Sequence, residues 1–275
     1  MRRLISKIFR KKYGKNYSYK LASRDFELPE LKLLVDSVQS AKFITERKSK
    51  ELIRKLEGLA SKYEAGQLNR QVLISGRVKT MNESIYYNVD KLHTAIGSNH
   101  QIRFQYNQWT IDKELVPRKN GEWYQISPWS LAWDDEYYYL IGYDSKDTKI
   151  KHYRVDKMQK IQLADALREG KSEYEAKNVP SYSKRIFGMF GGDTVYVTIE
   201  AENEMAGVFI DRFGKDIRLA KADPDHFSVS ADVEVSQQFL GWIFALGKGV
   251  RITGPETVVA RMKDEANRLM EQYNC

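Results

Sequence analysis

The chain has 275 residues, 42% hydrophobic and 30% charged, with 45 Lys or Arg against 37 Asp or Glu and a formal net charge of +8. This length and balance fit a globular chain of two or three compact units with an apolar core of its own, and exclude a disordered or disulfide-stapled one. The single cysteine, Cys275, excludes an internal disulfide and a cysteine metal cluster and points to a reducing, cytoplasmic setting.

Taken in chain order, the first feature is charge. Residues 1–20 hold eight Lys or Arg and no acid, which leaves 37 of each sign beyond them. Arg2, Arg3, Lys7, Arg10, Lys11 and Lys12 surround Leu4, Ile5, Ile8 and Phe9. Such a stretch attracts polyanions by releasing their counterions, so nucleic acid is the expected partner of this basic tail. A solvated terminal tail fits the same charge. The pattern lacks the long apolar centre of a secretory signal, although an Arg-rich transit peptide shares it. No apolar run approaches the roughly 20 residues of a transmembrane helix, so no membrane partner is expected.

Residues up to about 98 read as a helical connector. Leu31, Leu34, Val35, Val38 and Ala41 recur at helical spacing, with Pro29 suited to a first turn. Thr45 offers an N-cap to a second helix striped by Leu52, Leu56, Leu59 and Tyr63, with Gly66 just beyond. Two amphipathic helices on a short link predict an αα-hairpin whose apolar faces need a partner. A short helix is expected over Val89–Ile96, capped by Asn88 and closed by Gly97.

Residues 99–166 are β-rich and hold Trp109, Trp123, Trp129 and Trp133, four of the five tryptophans. Strands are expected in IRFQY, EWYQIS, EYYYLIGYD and IKHYRV, separated by the turn sequences at Lys119-Asn120-Gly121, Asp134-Asp135 and Asp144–Asp147. Several short antiparallel strands in about sixty residues predict a small barrel. Residues 167–192, with Pro180 and Gly191-Gly192, read as a linker. Residues 193–275 read β-α-β-β-α-β-α, the order of a ferredoxin-like α+β domain with one added helix.

Catalytic motifs are missing. There is no Gly-rich phosphate loop, no GxSxG, no HExxH and no Cys/His cluster, and His93, His100, His152 and His226 are scattered. Neither an enzyme, a metal site nor a cofactor is expected. What remains is KIKHYRVDK, residues 149–157. Alternation on a strand puts Tyr153 and Val155 on the core face and His152 and Arg154 on the other. Arg154 offers a planar donor fork for phosphate, and Tyr139 on the neighbouring strand offers a stacking ring. Basic residues on an ordinary solvated strand face fit the same pattern.

The stretch ISPWSLAWDDEYYYLIGYD followed by IKHYRVDKMQKI resembles the core of the WYL-domain regulators, bacterial proteins with an Sm/SH3-like barrel. The family tripeptide stands here as Tyr138-Tyr139-Leu140, with tyrosine in place of tryptophan. The family's Arg-x-x-Arg stands as Arg154-Val155-Asp156-Lys157, and its Pro-Tyr as Pro128-Trp129. Lysine keeps the charge of the second arginine and loses its bidentate fork. VTIEAENEMAGVFIDRFG and SQQFLGWIFALGKGVRITGP resemble the extension that follows many such barrels, and DFELPELKLLVDSVQSAKFIT resembles the connector that precedes them. The resemblance implies an α+β transcription regulator, a homodimer, sensing a nucleotide or nucleic acid at Tyr139, His152, Arg154, Lys157, Trp129 and Ser127. It also implies an N-terminal winged helix-turn-helix, for which the residues before the connector are too few. The alternative is an accessory protein without that element, binding RNA, single-stranded DNA or a partner regulator.

Overall fold

The computed structural model describes residues 8–13, 16–21, 26–68, 79–177, 185–189 and 191–274. The chain divides into two units, Met1–Tyr86 and Tyr87–Cys275. In the first, the basic segment is not only a tail. Strands β1 (Ile8–Tyr13) and β2 (Asn16–Leu21) pair antiparallel, with Arg10 opposite Tyr19 and Lys12 opposite Tyr17. The expectation of a basic tail and a mostly helical zone is thereby refined: alternating β-formers such as Tyr13, Tyr17 and Tyr19 make a hairpin of the basic segment. Arg2, Arg3 and Lys7 lie outside the described residues.

Helix α1 (Leu28–Ser40) opens with Pro29 in its first turn and a capping box between Glu27 and Glu30. Helix α2 (Glu46–Glu57) is capped by the Thr45 hydroxyl, which accepts from the Lys48 amide at 3.2 Å. The expected long stripe breaks at Gly58, which caps α2, and a separate helix α3 (Lys62–Leu68) follows. Tyr63 is therefore 82% exposed instead of buried, while Leu31, Val35 and Leu68 make a small core with Leu28, Ile53, Leu56 and Ala60.

Helix α4 (Ile85–Ser98) runs longer than the spacing predicts. Asn88 is internal, not a cap: its buried side chain donates to the carbonyl of Met158 at 2.9 Å. Gly97 is also internal, and the turn falls on Asn99 at φ +62°.

A curled antiparallel sheet follows, a half-barrel of six strands. They are β3 (His100–Trp109), β4 (Leu115–Pro117), β5 (Tyr124–Asp134), β6 (Tyr137–Asp144), β7 (Lys149–Arg154) and β8 (Met158–Leu167), in the order β4-β3-β5-β6-β7, with β8 on β3. Strand β5 extends well past EWYQIS, and β8 is absent from the expected set. The β5–β6 hairpin turns at Asp135 and Glu136, both with positive φ as a tight two-residue turn demands. Gly142 is required by packing: a Cβ there would stand 2.4 Å from the Ile126 side chain. Ile102, Phe104, Ile126, Leu140, Tyr153, Val155 and Met158 are buried, so the inward face of β7 is the one its alternation predicts. Phe104, Tyr124 and Tyr153 interlock inside, with ring centroids 5.3–5.9 Å apart.

After β8, a short helix α5 (Lys171–Ala176) lies within the stretch expected as a linker, whose Pro180 lies outside the described residues. The C-terminal sheet has β9 (Asp193–Glu202), β10 (Leu219–Lys221), β11 (His226–Val235) and β12 (Val250–Gly254), in the order β10-β11-β9-β12, every neighbour antiparallel. Helices α6 (Ala206–Phe213), α7 (Gln237–Ala245) and α8 (Glu256–Tyr273) accompany it. Val197, Ile199 and Ala201 of β9 alternate into a core with Phe209, Phe227, Val229, Phe239 and Ile243.

Candidate functional site

Cross-strand register decides which expected residues meet. Tyr139 of β6 lies opposite Arg154 of β7, and Ile141 opposite His152, so Tyr139, His152 and Arg154 share the outer face of this pair. Ser127 pairs with Tyr143 instead, and Ala132 is the β5 residue opposite Tyr139. Ser127 and Trp129 thus sit toward the other end of the strands.

Arg154 is held on two sides. Its Nε and Nη2 donate to the two carboxylate oxygens of Asp156 at 3.1 and 2.8 Å, and its guanidinium lies 3.6 Å over the Tyr137 ring. Its amide donates to the Tyr106 hydroxyl at 3.1 Å. The short 3-10 turn Val155–Lys157 makes this possible by returning Asp156 toward the strand that precedes it. Against the burial that opposes its charge, the hydrogen-bonded Asp156 raises the pKa of Arg154. Lys157, on the same turn, is pulled down by burial and then by the Arg154 charge, and Arg118 adds to that positive field. Burial pushes the Tyr139 hydroxyl up to about 12, so it stays a neutral ring with a donor. A planar cation stacked and forked in this way presents its remaining N–H groups in a fixed plane, a geometry suited to an anionic oxygen.

His152 looks elsewhere. It borders a cleft of about 750 Å³ with Lys149, Lys177, Glu234 and Arg261. Burial brings its pKa down to about 4, with Glu234 opposing and Lys177 reinforcing the shift, so the imidazole is neutral near pH 7. Glu234 is 1% exposed and is held by Lys177 and by the Gly192 amide, each at 2.9 Å.

Ser127 and Trp129 anchor the chain after β8. The Ser127 hydroxyl accepts from the Glu169 amide at 2.9 Å, and the Trp129 indole donates to the Glu169 carbonyl at 2.9 Å. Trp129 is the extra residue of a bulge between Pro128 and Ser130, and it is sandwiched by Tyr174 at 5.1 Å and Arg168 at 4.2 Å. Every one of these contacts is to the linker side.

Tyr137 and Asp156 are the neighbours of Arg154 that sequence reasoning did not assign. The Arg-x-Asp spacing around Val155 carries the signal for the second. Of the basic tail, Lys12 is exposed on β1, and the side chains of Arg10 and Lys11 lie outside the description. Among the described residues, no three His, Cys, Asp or Glu side chains gather to hold a metal ion, and no helix is long and apolar enough to cross a membrane.

Comparison with known families matches residues 87–163 to the WYL domain and residues 193–270 to the WCX domain. Together the two ranges cover more than half of the chain. Among solved structures, the chain is similar to proteasome accessory factor B/C (PafBC) of Arthrobacter aurescens, at 16% identity and a TM-score of 0.32, over 98% of this chain and 40% of that one. It therefore spans well under half the length of that protein. It is also similar to a CRISPR Cas-related protein, at 13% identity and a TM-score of 0.46, over 90% of this chain and 71% of that one. A comparison with curated proteins finds no match.

Proposed function

Because the chain belongs to the WYL-domain regulators, we propose that it is a transcriptional regulator whose half-barrel senses a nucleotide or a short single-stranded nucleic acid. The observation that carries this reading is the Arg154 guanidinium, stacked on Tyr137 and forked by Asp156 on the strand face that bears Tyr139, with Lys157 on the adjoining turn. A ring beside a planar cation is what a base and its phosphate require together. Arg154 receives the phosphate, Tyr139 stacks or donates, and Lys157 adds charge without direction. His152, neutral and turned to the cleft, shapes the face without supplying charge. Ser127 and Trp129 serve the site by holding the chain after β8.

The finer architecture belongs to the same proposal. Strand pairing supports an Sm/SH3-like barrel over 99–166, a linker over 167–192, and a ferredoxin-like domain over 193–275, whose four-stranded order is that of the βαββαβ fold. The basic β1–β2 hairpin contacts duplex DNA through its backbone phosphates. We read the protein as a cytoplasmic homodimer.

Titration of nucleoside triphosphates and single-stranded hexanucleotides, followed by tryptophan emission, tests the sensing role. Arg154→Ala is expected to weaken binding by roughly tenfold to a hundredfold, the worth of a charge-assisted hydrogen bond. Binding that is unchanged in Arg154→Ala removes the site. Duplex binding that is salt-sensitive but indifferent to sequence, with no response to any nucleotide, favours the accessory role instead.

A further inference from the structure

Residues 185–189 belong to the stretch that reads as a spacer, yet their side chains enter two different cores. Ile186 and Met189 are 1% and 7% exposed and cluster with Ile141 of β6. Tyr139, Ile150, Ala132 and Tyr174 pack against that cluster. The apolar middle of the outer β6–β7 face is therefore covered from within the chain. Phe187, one residue after Ile186, points the other way. It is buried in the C-terminal core, 5.2 Å from Phe239 and 5.1 Å from Trp242.

The crossing is pinned and strained. Arg212 of α6 donates to the Ile186 carbonyl and lies 4.0 Å over the Phe187 ring. Arg185 donates to the Lys177 carbonyl. Gly188 and Met189 take consecutive positive φ values of 59° and 58°. For methionine that conformation is held only while its surroundings over-determine it. Adjacent Cα atoms are about 3.8 Å apart, so Ile186 cannot leave the barrel face by much without moving Phe187.

We propose that residues 185–189 form a strap that closes the Tyr139–Arg154 face and links its occupancy to the C-terminal domain. This rests on the reading that the face binds nucleic acid. A base that stacks on Tyr139 needs the space that Ile186 and Met189 fill. Binding therefore lifts the strap, loosens Phe187 from the Phe239–Trp242 cluster and signals to α7. The apparent affinity is lowered by the fraction of molecules in which the strap is closed.

The test uses the full chain carrying Cys275→Ser and Ile141→Cys, with maleimide labelling as the measure of cover and a fluorescein-labelled single-stranded hexathymidylate as the probe. Ile186→Ser and Met189→Gly are added separately; the second keeps the left-handed backbone and removes only the side chain. Labelling is expected to accelerate about tenfold in each, and the probe to bind about tenfold tighter. Probe binding to the parent is expected to raise hydrogen exchange across α7. Unchanged labelling in both variants overturns the strap, as does faster labelling with unchanged probe affinity. Constant exchange in α7 overturns the link to the C-terminal domain. If no form binds the probe, the nucleic-acid reading fails, and the labelling rates alone decide the cover.

Discussion

Acidification probes the interior of the larger unit through one residue. His152 enters the fold neutral: burial lowers its pKa from 6.5 to about 4, Glu234 partly opposes this and Lys177 adds to it. The unfolded chain takes up the proton as pH falls through about 6.5, whereas the folded chain resists until about 4. Stability is therefore complete above the unfolded value and is lost progressively across that window. Between about pH 7.5 and about pH 5, linkage puts the loss at about 2 kcal/mol, or roughly 4–8 °C in Tm for a unit of this size. The chain carries 37 Asp or Glu and three other histidines, so the slope of the whole protein is not that of His152 alone. The informative quantity is thus the difference between the wild-type protein and His152→Gln, measured by thermal unfolding at both pH values. His152→Gln is expected to lose that share of the acid sensitivity. Equal Tm shifts in the two proteins, or an imidazole titrating near 6.5 by NMR, would refute the assignment of a buried neutral histidine.

Three further outcomes follow from named contacts. Asn88→Ala leaves the Met158 carbonyl without its donor from α4 and should cost about 1–3 kcal/mol, read as a lower urea midpoint at unchanged m-value. Ser127→Ala unpairs the Glu169 amide and should cost about 1 kcal/mol while leaving hexathymidylate affinity alone; a large loss of affinity would return Ser127 to the ligand face. Lys157→Ala should weaken nucleic-acid binding without changing base preference and lower the salt slope by about one, so an altered preference with an intact slope would count against its role as a simple charge.

Much of this molecule is legible in sequence because the relevant signals are local. The alternation in KIKHYRV names Tyr153 and Val155 as inward residues, and both are buried. Thr45 announces the start of α2, and the β-α-β-β-α-β-α order read after Gly192 is the observed one. Where reading failed, a non-local contact or a competing local rule decided the outcome. Asn88 and Gly97 look like caps, but α4 runs past both, and the Asn88 side chain is spent on the Met158 carbonyl of the sheet. Gly58 ends α2 although the leucine stripe continues. The place of Ser127 and Trp129 is likewise set non-locally, by a hairpin register that puts them toward the other end of the strands from Tyr139. Residues 185–189 are the extreme case: they have no periodicity to read, and Ile186 and Met189 join one core while Phe187 joins another.

In the proposed function, Arg154 receives the anionic group of a nucleic-acid ligand. Calorimetric titration of hexathymidylate into the wild-type protein, Arg154→Ala and Ser127→Ala, at one fixed salt concentration, tests it most directly. A loss of at least about tenfold is expected in Arg154→Ala alone, measured at a temperature where all three proteins are folded, because losing the pair with Asp156 also lowers stability. Equal affinity in Arg154→Ala and the wild-type protein, or an equal loss in both variants, would contradict it.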